Sequence, residues 1–280
     1  MTDQAPIRAR SWLFTPATHP ERFAKASVAG ADVAILDLED AVAPTDKPRA
    51  RTTALDYLAA NPADGALHAL RINGLDTRAG ISDLDALLRS RAVPDFLVLP
   101  KTETAGHLQI LDRLLTATGK ATRLIGLIES ARGLAAVEAI ASATPRLAGL
   151  MLGAADMAAD LGAATAWVPL AFARGRLIAA CALAGTMPID APFFDLRDSA
   201  GLKQEVAAAV ALGFAAKAAI HPAQISVINA ALTPSGEAVE KARAILAENA
   251  KGVGTVDGQM IDEAIARKAR RILAAAGLEA

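Results

Sequence analysis

The sequence alternates short apolar runs with amphipathic, helix-like segments eight times in succession. The apolar runs are bounded by turn-forming residues and are mostly aliphatic, which predicts β-strands. These predicted strands are 11–14, 33–38, 67–72, 96–100, 123–128, 147–152, 187–190 and 215–220. Eight strand–helix units over this length fit a (β/α)8 (TIM) barrel, in which parallel strands close into a cylinder inside a ring of helices.

An open, doubly wound sheet is the competing α/β fold. Its dinucleotide-binding form carries G-x-G-x-x-G directly after the first strand, and residues 15–20, TPATHP, lack that pattern. The composition suits layers of helices on strands, because 53% of the residues are hydrophobic and only 4% are aromatic. Small and branched side chains must therefore fill the interior. We predict the closed barrel.

After residue 221 the pattern changes to helices alone. These are predicted at about 222–231, 235–249 and 260–276, with the Gly-rich segment 251–259 as a flexible joint. We therefore predict two parts, a barrel over residues 1–231 and a C-terminal helical extension over 232–280. Since the barrel is already closed by then, the extension needs another surface, either on its own barrel or on a neighbouring subunit.

The net charge and the cysteine content exclude several classes of binding partner and site. The formal net charge is -1, so no overall field attracts nucleic acid or an anionic membrane. One cysteine excludes a disulfide framework and a Cys-rich zinc site. Neither a secretory signal nor an apolar run long enough to span a membrane is found. We expect a soluble, cytoplasmic protein that acts on a small molecule.

Carboxylates follow several predicted strands, at the end of a barrel where active sites form. Glu129 and Asp156 end adjacent strands, and two hard oxygen ligands with room for water describe a Mg²⁺ site. Each residue also has a structural alternative. Glu129 can be a helix N-terminal charge beside Ser130, and Asp156 can cap the helix that follows it.

Three more carboxylates, Asp37, Glu39 and Asp40, end the second predicted strand. A divalent cation nearby removes most of their mutual repulsion, so they can accept hydrogen bonds from its waters. Arg71 ends the third strand and can offer a bidentate fork to a substrate carboxylate. An ion pair between Arg71 and the carboxylate cluster is an equally good interpretation.

Several motifs, in order along residues 10–273, resemble the citrate lyase β-subunit-like proteins of the HpcH/HpaI aldolase superfamily, relatives of malyl-CoA and citramalyl-CoA lyases. The motifs are RSWLFTPATHPERF, VAILDLEDAVAP, LRING, VLPKTE, LIGLIESARGL, LGAADMAADLG, IDAPFFDLRD and VDGQMIDEAIARKARRIL. The resemblance implies a TIM barrel, a homotrimer and Mg²⁺-dependent cleavage or formation of the carbon–carbon bond of a 3-hydroxyacyl thioester.

The resemblance also implies roles for particular residues. Glu129 and Asp156 are the implied metal ligands, and Arg71 engages the acid group of the substrate, with Glu39 and Asp40 in the catalytic cluster. The backbone N–H groups of GAAD, at Ala154, Ala155 and Asp156, bind a substrate carboxylate. Asp262 of the MID motif comes from a neighbouring subunit as the acid/base. Thr18 and Arg22, in the loop after the first strand, bind CoA.

The expected activity is therefore that of a CoA-ester lyase which releases or uses pyruvate or glyoxylate. That loop reads FTPATHPERF, where related sequences commonly have FVPGDRPERF, so His19 replaces an arginine. Losing this cation favours an alternative, an aldolase on free hydroxy-keto acids without CoA. Two further alternatives are a malyl-CoA-type thioesterase and a citrate lyase β-like subunit that acts on an acyl-carrier thioester. A purely structural protein is disfavoured by the set of Glu129, Asp156, Arg71 and Asp262.

Overall fold

The computed structural model describes residues 9–60, 62–252 and 254–278. Backbone contacts divide the chain into two compact units. The first is Arg10–Ile228, and the described residues of the second are 9, 229–252 and 254–278.

Eight parallel strands close into a barrel in their chain order, which confirms the predicted fold class. Each strand begins and ends within two residues of its predicted bounds. The strands are β1 (Ser11–Pro16), β2 (Val33–Asp37), β3 (Leu67–Arg71), β4 (Phe96–Leu99), β5 (Arg123–Ile128), β6 (Leu147–Leu152), β7 (Met187–Asp190) and β8 (Ala216–Ala219). All residues of β2, β4 and β6 are buried, as expected for parallel strands covered on both faces.

Helices connect the strands and follow the last of them. They are α1 (Phe23–Val28), α2 (Lys47–Ala59), α3 (Arg78–Arg89), α4 (Ala105–Ala117), α5 (Ala131–Ala135), α6 (Val137–Ala141), α7 (Ala154–Leu161), α8 (Ala171–Ala184), α9 (Ser199–Leu212), α10 (Ile225–Leu232), α11 (Gly236–Asn249) and α12 (Glu263–Ala276), with short 3₁₀ helices at Pro20–Arg22 and Pro222–Gln224. Among the described residues, no helix combines the length and the apolar character needed to cross a membrane.

Strand register brings charged residues together at one end of the barrel. Asp37 and Arg71, the last residues of β2 and β3, are direct partners across that pair. Ile128 and Leu152 are partners at the ends of β5 and β6, so Glu129 and Gly153 leave the barrel side by side. Beneath them the core contains the rings of Trp12 and Phe96, with centroids 4.9 Å apart. The carboxyl ends of the strands therefore form a charged mouth over an apolar interior.

The C-terminal unit contains a β-hairpin that corrects the sequence-based prediction. Gly254–Val256 (β9) pairs antiparallel with Gln259–Ile261 (β10), where a flexible joint was expected. The turn residues Asp257 and Gly258 both have positive φ, 51° and 75°, as in the Asp-Gly turns that match the twist of a hairpin. Because β10 occupies 259–261, α12 begins at Glu263 and the predicted start at 260 was wrong.

Helices α11 and α12 pack on each other beside this hairpin. Their buried side chains form one small apolar cluster, which includes Ala242, Ile245, Ala269 and Leu273. Ile261 of β10 belongs to the same cluster. The unit thus has its own apolar core. Asp262 alone separates the end of the hairpin from the start of α12.

Candidate active site

Asp37 and Arg71 form a buried, two-pronged ion pair at the mouth. Arg71 Nε donates to Asp37 Oδ1 and Nη2 donates to Oδ2, both at 2.6 Å. Asp37 Oδ1 also accepts from the backbone N–H of Glu39 at 2.9 Å. Asp37 is thus held by Arg71 and by a backbone N–H, and its expected contact with metal-bound water stays a prediction. A bidentate pair of this kind fixes the plane of the guanidinium.

The rest of the Arg71 guanidinium faces two further carboxylates. Nη1 lies 2.8 Å from Glu39 Oε2 and 3.7 Å from Asp40 Oδ2, and the group lies 4.7 Å over the ring of Phe14. Burial opposes the charge, but the carboxylates raise the pKa of Arg71 above its ordinary value. The ion pair with the cluster, one of the two interpretations of Arg71, is thus present. Its contact with a substrate acid stays a prediction.

Glu39 is buried and lies between two cations, while its neighbour Asp40 is exposed. Lys101 Nζ donates to Glu39 Oε1 at 2.9 Å. Glu39 Oε2 has no hydrogen bond of acceptable geometry, although Arg71 Nη1 lies 2.8 Å away as an ion-pair partner. Burial raises the pKa of Glu39, against the opposing effect of Arg71 and Lys101. Both Glu39 oxygens therefore face a cation, Oε1 that of Lys101 and Oε2 that of Arg71.

Lys47 supports the Glu39 loop from below. Its Nζ donates to the carbonyl oxygens of Leu38 and Glu39 at 2.9 Å and 2.8 Å, and to Asn73 Oδ1 at 2.6 Å. Asn73 Nδ2 in turn donates to Leu38 O at 3.0 Å. Three strong contacts on two consecutive peptide groups hold the backbone that carries Glu39.

Glu129 is 3% exposed at the end of β5. Its Oε1 accepts from the backbone N–H of Lys101 at 2.7 Å. Burial, the nearby charge of Glu39 and that of Asp156 raise its pKa to about 8, although the Lys101 N–H favours the ionised form. Burial and two like charges thus make the ionised form of Glu129 unfavourable, and a bound cation would stabilise that form.

Gly153 makes room for Glu129. A Cβ added at Gly153 would lie 2.5 Å from Glu129 Cβ and 2.5 Å from Oε2. The backbone of Gly153, φ -96° and ψ 86°, is open to other residues, so the requirement for glycine is one of space. The close approach of β6 to β5 fixes where this carboxylate can lie.

We expect Gly153→Ala to displace Glu129 and to weaken Mg²⁺ binding by about 10- to 100-fold, the cost typical of a disturbed ligand environment. Isothermal titration of Mg²⁺ into the protein measures this. The matched control is Gly175→Ala in α8, where an added Cβ meets nothing within 4 Å. Unchanged Mg²⁺ affinity in Gly153→Ala would mean that Glu129 is not a ligand, or that the backbone after β6 moves aside to make room for the added Cβ.

Asp156 lies in the first turn of α7, which begins directly after β6 at Ala154. The first N–H groups of a helix have no partners within it, so those of Ala154, Ala155 and Asp156 face the mouth as donors for an anion. Asp156 is half-buried, and its charge acts on Glu129. The structure therefore brings Glu129, Asp156 and the GAAD backbone together.

These residues fit Mg²⁺. No group of three or more His, Cys, Asp or Glu side chains that could hold a metal ion occurs in residues 9–60, 62–252 and 254–278. Two carboxylates with Gly153 clearing the space beside one of them match an ion that takes one or two protein carboxylates and keeps several waters. A carboxylate oxygen can accept more than one hydrogen bond, so Glu39, whose charge acts on Glu129, can also accept from such a water.

A cleft of about 320 Å³ opens between the ends of β1 and β8. It is lined by residues 13–16, 22, 25–26 and 220–222, and so carries the cations of Arg22 and Lys25. Thr18 is half-buried and lies outside this lining. Glu21 Oε1 lies 3.2 Å from His19 Nδ1 and 3.7 Å from Arg22 Nε, so it opposes part of the positive charge.

Asp262 lies in the C-terminal unit and is exposed. It is the N-cap of α12, and its Oδ1 accepts from the N–H of Ile265 at 2.9 Å. The side chain therefore has a defined structural role, and its second oxygen is available for other contacts.

Sequence analysis assigned no role to Lys101, Lys47 or Gly153. Lys101 occurs there only within the VLPKTE motif, and nothing in its sequence context shows two separate contacts. Gly153 carried a usable signal, since a glycine directly after a buried strand often marks a close approach of another chain segment.

A protein-family model described as HpcH/HpaI aldolase/citrate lyase matches residues 10–222. A second, described as a C–C bond lyase of the TIM-barrel fold, matches residues 173–278. The chain is 37% identical to the L-malyl-CoA/beta-methylmalyl-CoA lyase of Rhodobacter capsulatus, covering 96% of this chain and 95% of that protein. It is 38% identical to the citrate lyase subunit beta-like protein of Mycobacterium tuberculosis H37Rv, covering 95% of each.

Solved structures agree with this. RipC from Yersinia pestis is 58% identical, with a TM-score of 0.74 over 83% of this chain and 98% of that one. CitE from Mycobacterium tuberculosis, in complex with magnesium, acetoacetate and coenzyme A, is 37% identical, with a TM-score of 0.81 over 96% of this chain and 99% of that one.

Proposed function

Because the chain belongs to the HpcH/HpaI aldolase/citrate lyase family, whose members are Mg²⁺-dependent carbon–carbon lyases, we propose that it cleaves or forms a 3-hydroxyacyl-CoA such as malyl-CoA or citramalyl-CoA. Pyruvate or glyoxylate is the 2-keto acid partner. The observation that carries the proposal is the buried Glu129, whose pKa is raised to about 8 beside Asp156 and Glu39. Such a cluster is suited to hold a divalent cation.

Glu129 and Asp156 would hold the ion, with the remaining positions left to water and substrate. When bound, Mg²⁺ supplies Lewis-acid polarisation of the oxygen on the keto-acid carbon and a template for the adjacent carboxylate. The N–H groups of Ala154, Ala155 and Asp156 donate to that carboxylate. Arg71, held in plane by Asp37, would engage the acid group with Nη1, the nitrogen that lies 2.8 Å from Glu39 Oε2.

Cleavage needs one proton removed and one supplied. Loss of the hydroxyl proton forms the carbonyl of the keto acid, the carbon–carbon bond breaks, and its electron pair passes to the acyl thioester as an enolate. We assign Asp262 of a neighbouring subunit in a homotrimer as the acid that protonates the enolate carbon. Its exposure in this chain supports that role, because a carboxylate that serves another subunit must not be buried in its own.

The cleft between β1 and β8 is the proposed CoA site. Arg22 and Lys25 line it and can bind phosphate groups, and Thr18 is assigned to the same loop. CitE, a relative over nearly its whole length, was solved with coenzyme A, which favours this assignment over an aldolase on free acids. Glu21, close to His19 and Arg22, favours the free-acid alternative.

Titration calorimetry separates these functions. CoA, acetyl-CoA and pyruvate are each titrated with and without Mg²⁺, into the wild-type protein, Arg22→Ala and the control Arg89→Ala, which removes an exposed arginine of α3. We expect acetyl-CoA to bind with Mg²⁺ and pyruvate present, and Arg22→Ala alone to weaken it. Mg²⁺-dependent pyruvate binding without a CoA signal would assign the free-acid aldolase instead.

The other two alternatives share this site and are separated by products. A malyl-CoA-type thioesterase releases free CoA and the intact hydroxy acid, whereas the lyase releases an acyl-CoA and a keto acid. A citrate lyase β-like subunit turns over only an acyl-carrier thioester. We also propose a cytoplasmic location, which the buried, unpaired Cys181 supports.

Mg²⁺ affinity is expected to depend on pH below about 8. Protonated Glu129 cannot ligate a cation, and its pKa of about 8 means that binding at lower pH must displace a proton. Affinity should therefore fall by up to about tenfold per pH unit as pH drops below that value. Calorimetry at several pH values, in buffers of different ionisation enthalpy, measures both effects. An affinity that is flat between pH 6 and 8, with no proton release, would contradict the raised pKa.

A further inference from the structure

We propose that Lys101 is a positioning residue that sets two carboxylates at once, Glu129 through its backbone N–H and Glu39 through its side chain. This inference rests on the proposed function, because both carboxylates are placed at the Mg²⁺ site. It adds a residue to which the sequence analysis gave no role.

The backbone of Lys101 is in an unfavourable conformation for a residue with a side chain. Its φ is 46°, in the left-handed region, where the Cβ crowds the backbone and glycine is preferred. Asp257, in the hairpin turn, is the other non-glycine residue with positive φ in the described part of the chain. A lysine where glycine would be easier suggests that its side chain is needed.

Neighbouring residues hold this conformation. Thr102 is buried, its N–H donates to Leu127 O of β5 at 3.1 Å, and its Oγ1 donates to Leu99 O of β4 at 2.9 Å. The turn after β4 is thereby tied to both strands. In this turn the Lys101 N–H donates to Glu129 Oε1 at 2.7 Å, so the backbone fixes one oxygen of a proposed metal ligand.

The side chain reaches in another direction. Its Nζ donates to Glu39 Oε1 at 2.9 Å, which joins the end of β4 to the loop after β2, across the intervening β3. The Lys101 side chain is 44% exposed and that of Glu39 is 7% exposed. Lys101 thus links the ends of β2 and β4, two strands that do not pair with each other.

The two contacts fix the relation between Glu39 and Glu129. Arg71 is already bound to Asp37 by two nitrogens and approaches Glu39 with the third. Lys101 holds the opposite oxygen of Glu39, so the carboxylate is restrained from both sides. Without Nζ, Glu39 can turn away toward Arg71, and a water on the metal loses its acceptor.

The contact between Lys101 and Glu39 is tested by measuring metal binding without substrate, Mn²⁺ by electron paramagnetic resonance and Mg²⁺ by calorimetry. We expect Lys101→Met to weaken metal binding and kcat by about 10- to 100-fold, and Lys101→Arg to restore most of both. In a Glu39→Gln background, Lys101→Met should have little further effect on metal affinity. A merely structural role would instead give independent, multiplying losses in the double variant.

The backbone conformation has its own test, a comparison of Lys101→Gly with Lys101→Ala. Both lack Nζ, but only glycine relieves the left-handed strain, so the glycine variant should have the higher Tm. An alanine variant as stable as glycine would overturn the backbone part of the proposal.

Failure of the inference and failure of the function look different. If the wild-type protein binds metal and Lys101→Met binds it as tightly, Lys101 is not a positioning residue and the proposed function stands. If the wild-type protein binds neither Mn²⁺ nor Mg²⁺, both are overturned.

Discussion

Replacing Asp156 with alanine is expected to abolish lyase activity and to weaken Mg²⁺ binding by at least about 100-fold, more than the usual cost of changing a residue that only supports a ligand. Asp156 is one of two proposed anionic ligands. Its removal leaves Glu129 as the one carboxylate assigned to the ion, and Mg²⁺ competes poorly with its own hydration at such a site. Calorimetry and a coupled assay for keto-acid release measure the two losses.

The barrel should remain folded in this variant. Asp156 raises the pKa of Glu129 by repulsion, so removing it relieves an unfavourable interaction, and the Tm of the metal-free protein should be unchanged or higher. The control is Asp160→Ala, which removes a carboxylate one turn further along α7 and with it the acceptor of the Ala131 N–H, so it should lower stability but leave metal affinity unchanged. Metal binding that survives in Asp156→Ala but is lost in Asp160→Ala would transfer the ligand role.

Asp262→Asn is expected to leave Mg²⁺ affinity intact and to slow turnover by about 10² to 10⁴, the usual contribution of a positioned acid/base. Asparagine keeps an oxygen that can accept from the Ile265 N–H, so the helix cap survives. Proton exchange at the methyl carbon of acetyl-CoA, followed by NMR in D₂O, isolates the affected step.

Ser235→Ala is the control for the cap. Ser235 is the N-cap of α11 in the same unit and accepts from the Ala238 N–H at 3.1 Å. Its removal should cost about 1 kcal/mol of stability and leave turnover unchanged. Asp262→Ala combines both effects. Wild-type exchange rates in Asp262→Asn would move the acid/base role to another residue.

The barrel could be predicted because its signal is local. Each strand is an apolar run bounded by turn residues, and burial on both faces of a parallel strand leaves that run uninterrupted. The positions of Glu129 and Asp156 followed from the same logic, since residues after consecutive strands must meet at the mouth.

Side-chain pairing within the mouth was harder to predict, because it depends on register. Asp37 and Arg71 face each other only because β2 and β3 pair with those residues opposite. Lys101 contacts Glu39 and Glu129 through a backbone conformation that no sequence pattern indicates for lysine. By contrast, the Asp257–Gly258 pair is a sequence signal for a hairpin turn. A flexible joint was predicted instead because the surrounding glycines suggested a loop.

The cleft of Arg22 and Lys25 has a consequence for how the barrel holds together. Its walls come from β1 and β8, the first and last strands, which pair at residues about 200 positions apart in the chain. Joining them closes the longest loop in the cylinder and carries its largest entropic cost. A ligand that spans this seam binds only the closed cylinder, so by mass action it stabilises closure. If CoA binds in this cleft as proposed, it holds β1 and β8 together, and amide exchange in these two strands should slow most when CoA is bound.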